Sequence, residues 1–384
     1  MKRTELLVIL TLFGVLFLAS VDNQLLIPLL PVLAADLKVE VAELGRLFSL
    51  YALSAALFNL WAGPLTDRYG RLPFLRGGLA AFVLLSLAIY ASSAYWQLLL
   101  LRAGAGFAAG ILSTCVASFV GDHFPYRRRG KVMGMVLSSY FLALVAGIPL
   151  AVFVAETWSW RVIFMASAGF AGALLVAAFL FLKTPARGPA EVDRSPIWKR
   201  YLFLVRSPER SGALLTSFLV SGGTLSFLTY ISGLGFSPTE TARLFLVAGL
   251  AALGGSPLAG WLSDRIGKRP VFLISNSAMG VALPVILWLD WGAPLFVVFF
   301  TVTLFVAARQ TSLQTVQTEL ISTAGRGTFI ALRNAASQLG ISLCVLLSGV
   351  LFSQFGYTAV VFLASGLTLL ASLVFLFLIP EPAE

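Results

Sequence analysis

Two charged residues interrupt stretches of the sequence that are otherwise apolar. Asp22 is the only acidic residue deep inside any such stretch, and Arg102 lies inside another. A charge at the centre of a membrane costs about 2.5–3.5 kcal/mol on insertion scales, so a residue of this kind usually has a partner or a function. If these stretches cross a membrane, Asp22 and Arg102 are the first candidates for chemistry.

Polar side chains also recur at helical spacing in two apolar stretches nearer the C-terminus. Such stripes must face protein or water inside a membrane. They can line a polar path, or bond one helix to another at about 0.6 kcal/mol each, and the sequence leaves both readings open. The first stripe is Gln310, Gln314 and Gln317 beside Arg309, and the second is Asn334, Gln338 and Ser342.

Enzyme and metal signatures are not found in the sequence. His123 is the single histidine, and the two cysteines, Cys115 and Cys344, are isolated in apolar stretches. These residues supply neither a His-rich metal site, a Ser-His-Asp triad nor a disulfide framework. A Gly-x-x-x-x-Gly-Lys-Ser/Thr phosphate loop is missing, which argues against direct use of ATP. We therefore expect a protein that is not an enzyme and has no cofactor.

The elements that position these residues are predicted to be membrane-spanning helices. The 384-residue chain is 59% hydrophobic and 11% charged, whereas soluble domains carry about 25% charged residues. Continuous apolar runs of about twenty residues favour helices over a barrel of alternating strands. Twelve spans are predicted, near 6–34, 43–65, 74–92, 95–121, 131–155, 160–182, 211–235, 240–263, 270–290, 293–318, 327–350 and 357–379.

The distribution of basic residues predicts the orientation of these spans. With the N-terminus inside, twenty of the 27 Lys and Arg residues lie on the inner side and four on the outer side. This asymmetry is typical of cytoplasmic loops. The formal net charge of +10 therefore needs no nucleic-acid partner. We expect a multi-pass protein of a bacterial inner membrane with both termini in the cytoplasm.

The chain divides into two similar halves. The string GPLTDRYGRLP at 63–73 matches GWLSDRIGKRP at 260–270 at an offset of 197, with six of eleven positions identical. Internal duplication is typical of carriers that work by alternating access. We predict an all-α membrane protein with a six-helix bundle in 1–182, a second in 211–384, and a cytoplasmic linker with a surface helix in 183–210.

The repeated loop closely resembles the signature of the major facilitator superfamily, roughly Gly-x-Leu-x-Asp-Arg-x-Gly-Arg. In the family, charged contacts of this loop latch the inner face, and Asp122 is a candidate partner for Arg71. The alternative is that these charges merely anchor loops in the positive-inside sense. The predicted latch comprises Gly63, Asp67, Arg68, Gly70, Arg71 and Asp122, with Asp264, Arg265 and Gly267 from the second copy.

Further motifs resemble the drug and metabolite exporters of this superfamily. LLLLRAGAGFAAG at 98–110 is similar to the pattern of the fourth helix, and its Gly106 and Gly110 allow close helix approach. WSWRVIF at 158–164 resembles the start of the sixth helix. VAGIPLAV at 145–152 resembles a worn antiporter signature, in which Gly147 and Pro149 could kink the fifth helix.

The resemblance places Asp22 and Arg102 on helices that line the central cavity of the family. A pair that breaks when Asp22 is protonated would couple a proton to conformation; a static pair, or a solvated Asp22, is the alternative. The resemblance also implies a substrate cavity, for which the candidate residues are Asn23, Tyr51, Phe107, Tyr140, Phe227, Tyr230, Arg309, Gln310, Gln314, Asn334 and Gln338.

These features predict a monomeric secondary transporter in contact with membrane lipid. Its partners would be protons and small amphipathic organic molecules, exported against an inward proton flow. Three alternatives remain: a proton symporter or uniporter for sugars or organic acids, a lysolipid carrier of the same fold, and a channel or membrane-embedded enzyme, against which the repeat argues.

Overall fold

A computed structural model describes the backbone of residues 3–183, 197–320 and 326–379, and every regular element in these ranges is helical. Apolar composition and length identify helices that can cross a membrane. In the first half they are α1 (Arg3–Gln24), α2 (Val41–Tyr69), α3 (Arg71–Tyr90), α4 (Tyr95–His123), α5 (Arg128–Thr157) and α6 (Trp160–Phe181).

The second half repeats this order. Its helices are α7 (Pro208–Thr229), α8 (Pro238–Ile266), α9 (Lys268–Trp288), α10 (Ala293–Glu319) and the helical stretch Arg326–Leu378. That stretch of 53 residues would be about 80 Å long as one helix, far more than a bilayer requires. Gly356 interrupts it with a φ of +72°, so residues 326–355 form α11 and residues 357–378 form α12.

The first predicted span is wrong at its C-terminal end. The sequence predicts a helix through residue 34, but α1 ends at Gln24, and a short helix, Leu30–Leu37, follows a run of turns. Pro28 has no N–H to donate to the Gln24 carbonyl, so the α-helical bonding pattern cannot continue through this position. Pro31 lies in the first turn of the short helix, where proline is tolerated. As a result, Asp22 lies in the last turn of α1.

The fifth helix is irregular where the sequence predicts a kink. Residues Ala143–Gly147 form a π-helical turn, and Pro149 follows in the next helical segment. A Cβ atom added to Gly147 would lie 2.4 Å from a methyl group of Val21. This glycine therefore lets α5 approach α1 just before the turn that contains Asp22.

The basic loops and the start of α1 lie at one face, which we call the basic face; the opposite end is the far face. Between α6 and α7, the predicted linker helix is present as Ile197–Val205, while residues 184–196 lie outside the described part of the chain. The Tyr201 hydroxyl donates to the Leu60 carbonyl at 2.6 Å, and Leu204 packs in the core of the second half. The linker helix thus contacts both halves at the basic face.

The apolar cores show how the two halves meet. One core combines residues of both, including Phe48 and Ile148 from the first half and Phe245 and Val345 from the second. Its members lie toward the far face. A second core contains only residues between 8 and 182, and a third only residues between 204 and 379. Among the described residues, the halves therefore share a core at the far face and have separate cores at the basic face.

Candidate functional site

Asp22 and Arg102 form an ion pair in the interior of the first half. The Arg102 Nη1 atom lies 2.9 Å from Asp22 Oδ2, and the side chains are 0% and 1% exposed. The same guanidinium donates from Nη2 to the Asp22 main-chain carbonyl at 3.1 Å. Carbonyls in the last turn of a helix lack intrahelical donors and attract cations. Arg102 therefore both neutralises the Asp22 carboxylate and caps the C-terminal end of α1.

An aromatic ring and a glycine fix the position of Arg102. Its guanidinium carbon lies 4.4 Å from the centre of the Tyr51 ring, within the range of a cation–π contact. A Cβ atom at Gly106, one turn further along α4, would lie 2.1 Å from the Tyr51 carbonyl oxygen. The predicted close approach at Gly106 is present, and it brings α2 and α4 together beside the ion pair.

The ion pair leaves hydrogen-bonding capacity unused. Asp22 Oδ1, Arg102 Nε and the Tyr51 hydroxyl are all buried without a hydrogen-bond partner. The Tyr51 hydroxyl is near enough to the Asp22 carboxyl group to interact with it. A buried pair with few supporting bonds contributes little net stability, whereas removal of one partner costs about 3–5 kcal/mol. The arrangement is therefore poised to respond to the charge on Asp22.

A repeated ion pair joins helix ends at the basic face. Arg71 Nε lies 3.1 Å from Asp122 Oδ2, linking the start of α3 to the end of α4, as the sequence predicts. Lys268 and Glu319 make the equivalent pair between α9 and α10. Each basic residue follows a glycine at positive φ, +86° at Gly70 and +91° at Gly267. The side chains of Asp67 and Arg68, and Gly63, lie outside the described residues, while Asp264 and Arg265 are exposed.

A sequence profile of the Major Facilitator Superfamily matches residues 12–252 and 211–384. The chain belongs to this superfamily. It is therefore a transporter rather than an enzyme, and the twelve long apolar helices and repeated glycine turns of its described residues fit the two-bundle architecture. The predicted family and fold class are confirmed.

Relatives of this transporter include two proteins that are named for efflux. It is 28% identical over 375 residues to the uncharacterized MFS-type transporter YwfA of Bacillus subtilis strain 168, covering 95% of this chain and 90% of the relative. It is 25% identical to the multi-drug resistance efflux pump PmrA of Streptococcus pneumoniae, with 68% of each chain covered. A probable sugar efflux transporter of Helicobacter pylori strain P12 is 24% identical, with 92% of this chain and 90% of the relative covered.

The residues predicted to line the substrate cavity of the transporter fall into two groups. Phe107, Tyr140 and Gln310 are exposed, and Asn23, Gln314, Asn334 and Gln338 are half-buried. The other four, Tyr51, Phe227, Tyr230 and Arg309, are fully buried. Tyr51 belongs to the ion-pair site, and Phe227 packs against Phe299 and Tyr357 in the shared core. In this conformation, these four do not line open space.

Arg309 is held by neutral partners inside the second half. Its Nη1 atom donates to Asn276 Oδ1 at 2.8 Å, and its Nη2 atom donates to the Thr224 hydroxyl. Gln317, one turn beyond Gln314, donates to the Ala213 carbonyl at 2.9 Å. For Arg309 and Gln317, the polar stripe of α10 therefore bonds helix to helix, which is one of the two readings left open by the sequence.

A contact of Tyr230 that joins the two halves at the far face was not predicted from the sequence. The Tyr230 hydroxyl donates to the Ala42 carbonyl at 3.2 Å, and it also lies 3.4 Å from the Val345 carbonyl. A Cβ atom at Gly45 would lie 1.8 Å from that hydroxyl, and one at Gly349 would lie 2.6 Å from it. The Tyr230 hydroxyl thus occupies the space beside Gly45 of α2 and Gly349 of α11, where the halves meet.

A second contact that was not predicted from the sequence joins the short helix Leu30–Leu37, the start of α6 and the loop between α3 and α4 at the far face. Asp36 Oδ2 accepts from Arg161 Nη1 at 2.6 Å and from Trp160 Nε1 at 3.0 Å, and Arg161 Nε donates to the Ser92 carbonyl. Partial burial alone would raise the pKa of Asp36. The bonds from Arg161 and Trp160, with the charge of Arg161, outweigh that effect and hold the pKa below its usual value.

Proposed function

We propose that this transporter exports small amphipathic organic molecules in exchange for protons, and that Asp22 is the proton-carrying group. The observation that carries the proposal is the fully buried Asp22–Arg102 pair. Protonation of Asp22 removes the charge that holds Arg102. The bond then weakens, and so does the contact between α4 and the end of α1.

The location of the pair suits this role. Because Asp22 is buried here, it can exchange a proton with water only in another conformation. The halves share a core at the far face and are separate at the basic face, and the excess of Lys and Arg assigns the basic face to the cytoplasm. We therefore infer an inward-facing state, from which rocking of the halves would open the far face and expose Asp22.

The direction of transport is inferred from relatives. PmrA is named a multi-drug resistance efflux pump, and the Helicobacter pylori relative a probable sugar efflux transporter. Both names denote export. The largely apolar spans of this chain favour amphipathic cargo over sugars, because a sugar site needs many polar groups.

The test uses purified protein reconstituted in liposomes with an imposed pH gradient. Three probes share the apolar naphthalene ring system and carry no group that titrates near neutral pH. They are naphthalene-1-sulfonate, naphthalene-1-sulfonamide and trimethyl(1-naphthyl)ammonium. At least one should be moved against its gradient by wild-type protein. Asp22→Asn should abolish this concentrative transport while retaining exchange of probe against probe, because it fixes the site in its uncharged form.

Asp290→Asn is the matched control, since Asp290 is an exposed carboxylate between α9 and α10. It should behave as wild type. Full gradient-driven transport by Asp22→Asn, at equal protein level, would show that the coupling group lies elsewhere.

A further inference from the structure

The charged residues inside the described spans are strongly unbalanced. Every acidic residue in these helices, Asp22 included, lies within three positions of a helix end, whereas Arg102, Arg309 and Arg333 are all internal. Asp22 is committed to Arg102. Among the described side chains, the interior therefore holds two further guanidinium groups, those of Arg309 and Arg333, with no carboxylate paired to them.

Arg333 is the member of this set that is accessible. It lies on α11 and is half-buried, whereas Arg309 is 1% exposed and already bonded to Asn276 and Thr224. Within the described residues, the one hydrogen bond of Arg333 is from Nη2 to Asn334 Oδ1 at 2.9 Å. Tyr140, from the other half of the molecule, is the ionisable side chain close enough to interact with it electrostatically. The Arg333 guanidinium is thus within electrostatic reach of the first half.

This position is not that of a side chain reaching for the membrane surface. Long cationic side chains near helix ends usually extend toward the interface. Tyr140 lies twelve residues into α5, about 18 Å from its start at the basic face. Arg333 itself lies seven residues into α11, about 10 Å from the start of that helix, and an unpaired charge at this depth is costly unless a ligand neutralises it.

The groups around Arg333 can donate more hydrogen bonds than they accept. The guanidinium has only donors, and because the Asn334 oxygen already accepts from Arg333, the Asn334 amide nitrogen remains free to donate. The Tyr140 hydroxyl can donate as well, and the Tyr140 residue is 42% exposed. A cluster of donors around a cation is complementary to an anion. It would repel a cationic molecule.

We propose that the transported molecule is an amphipathic organic anion whose acidic group binds Arg333, with Asn334 and Tyr140 as further donors. This inference rests on the proposed transport function and specifies its substrate class. The apolar part of the molecule would face exposed aromatic rings of the first half, such as Phe107. The excess positive charge of the interior selects the charge of the substrate.

The test compares equilibrium binding of the three naphthyl probes to purified protein without any pH gradient. Wild-type protein should bind naphthalene-1-sulfonate at least about tenfold more tightly than the sulfonamide, the difference expected for one charge-assisted bond, and should bind the ammonium probe weakest. Arg333→Gln should abolish this preference with little effect on sulfonamide binding. Arg333→Lys should preserve part of it, because the charge remains.

Arg243→Gln is the control, since Arg243 is exposed near the start of α8; it should keep the preference for the sulfonate. Equal binding of the three probes, preference for the ammonium probe, or no saturable binding of any of them would overturn the anion proposal. The two proposals fail separately. Anion-selective binding with full gradient-driven transport in Asp22→Asn would contradict only proton coupling, and unselective binding with coupled transport would contradict only the anion site.

Discussion

Asp122 and Glu319 occupy equivalent positions in the two halves of the molecule. They are 197 residues apart (319 minus 122), the same separation as Arg71 and Lys268, to which they are respectively paired. Each pair links the residue after a positive-φ glycine to the end of the next long helix. The internal repeat of the sequence is therefore also a repeat of ionic contacts, and both pairs tie helices together at the basic face.

The first prediction concerns this repeated pair. Asp122→Asn should leave the protein folded, because the Arg71 and Asp122 side chains are 21% and 32% exposed and exposed pairs contribute about 1 kcal/mol or less. We expect it nevertheless to slow transport several-fold, since the pair holds the start of α3 against the end of α4 at the basic face. Rates in liposomes at equal protein level are the measurement. The exchanged pair Arg71→Asp with Asp122→Arg should recover part of the rate.

Arg128→Gln provides a comparison at the same face, because Arg128 is 63% exposed and lies 3.7 Å from Glu5. It should transport normally. Wild-type rates in both Asp122→Asn and Glu319→Gln would remove the latch role from these pairs.

The second prediction tests the close contact between α2 and α4 beside the Asp22–Arg102 pair. Gly106→Ala would place a Cβ atom 2.1 Å from the Tyr51 carbonyl, forcing α2 and α4 apart at a cost of about 1–3 kcal/mol. Gly121→Ala, on the same helix, is the matched control because nothing lies within 4 Å of its added Cβ. Unfolding in detergent can be followed by dye labelling of the buried thiols Cys115 and Cys344. Equal midpoints for the two variants would contradict the close approach.

Much of the fold follows from the sequence because lipid imposes a simple rule. Backbone groups need partners inside the bilayer, so long apolar runs predict helices closely; 160–182 corresponds to Trp160–Phe181. The end of α1 could not be predicted in this way, because 25–34 is as apolar as the helix before it. There the prolines, rather than hydropathy, determine where the helix ends.

The candidate site shows the same division. The Asp22–Arg102 pair follows from the cost of isolated charges in lipid, and the same argument could have singled out Arg333. Glu319 could have been found by applying the offset of 197 to Asp122. Tyr230 could not have been placed, since its role depends on which ends of the two halves are in contact, and hydropathy carries no information about conformation.

The third prediction addresses the far-face seal. The Leu side chain of Gly45→Leu would occupy the space that the Tyr230 hydroxyl fills. This variant should therefore shift the protein toward a state that is open at the far face. The distance between spin labels at Trp158→Cys and Trp288→Cys, which are 66% and 73% exposed in opposite halves, should increase by several ångströms. Tyr230→Phe should have a smaller effect because the aromatic ring still occupies the space between the two halves. An unchanged distance distribution in Gly45→Leu would show that Tyr230 does not seal the two halves.

The fourth prediction follows from the lowered pKa of Asp36. A carboxyl group whose pKa is depressed by folding stabilises the protein above its unfolded pKa of about 3.9, and that contribution is lost as the pH falls through the lower folded pKa. Asp36→Asn should therefore lower the unfolding midpoint at pH 7, and the difference from wild type should narrow below about pH 4. The effect should be under about 1 kcal/mol, because Asp36 is 41% exposed. A difference that widens in acid would contradict the assignment.

The last prediction separates the structural role of the buried pair from its role in coupling. Asp22→Asn leaves Arg102 buried without its counter-charge, and Arg102→Gln does the same to Asp22. Each should destabilise the protein, by up to about 3–5 kcal/mol. The double variant removes both charges together, so it should regain most of the lost stability. Thermal unfolding in detergent measures this directly.

Transport by the same three variants then shows what the charge on Asp22 is needed for. If Asp22 carries the proton, the double variant should be stable and should still exchange probe for probe, but it should not concentrate any probe in response to a pH gradient. Arg102→Gln alone keeps the Asp22 carboxyl group in a site without its cation, so the pH dependence of its transport should differ from that of wild type. Concentrative transport by the double variant would mean that the pair only holds α1 against α4.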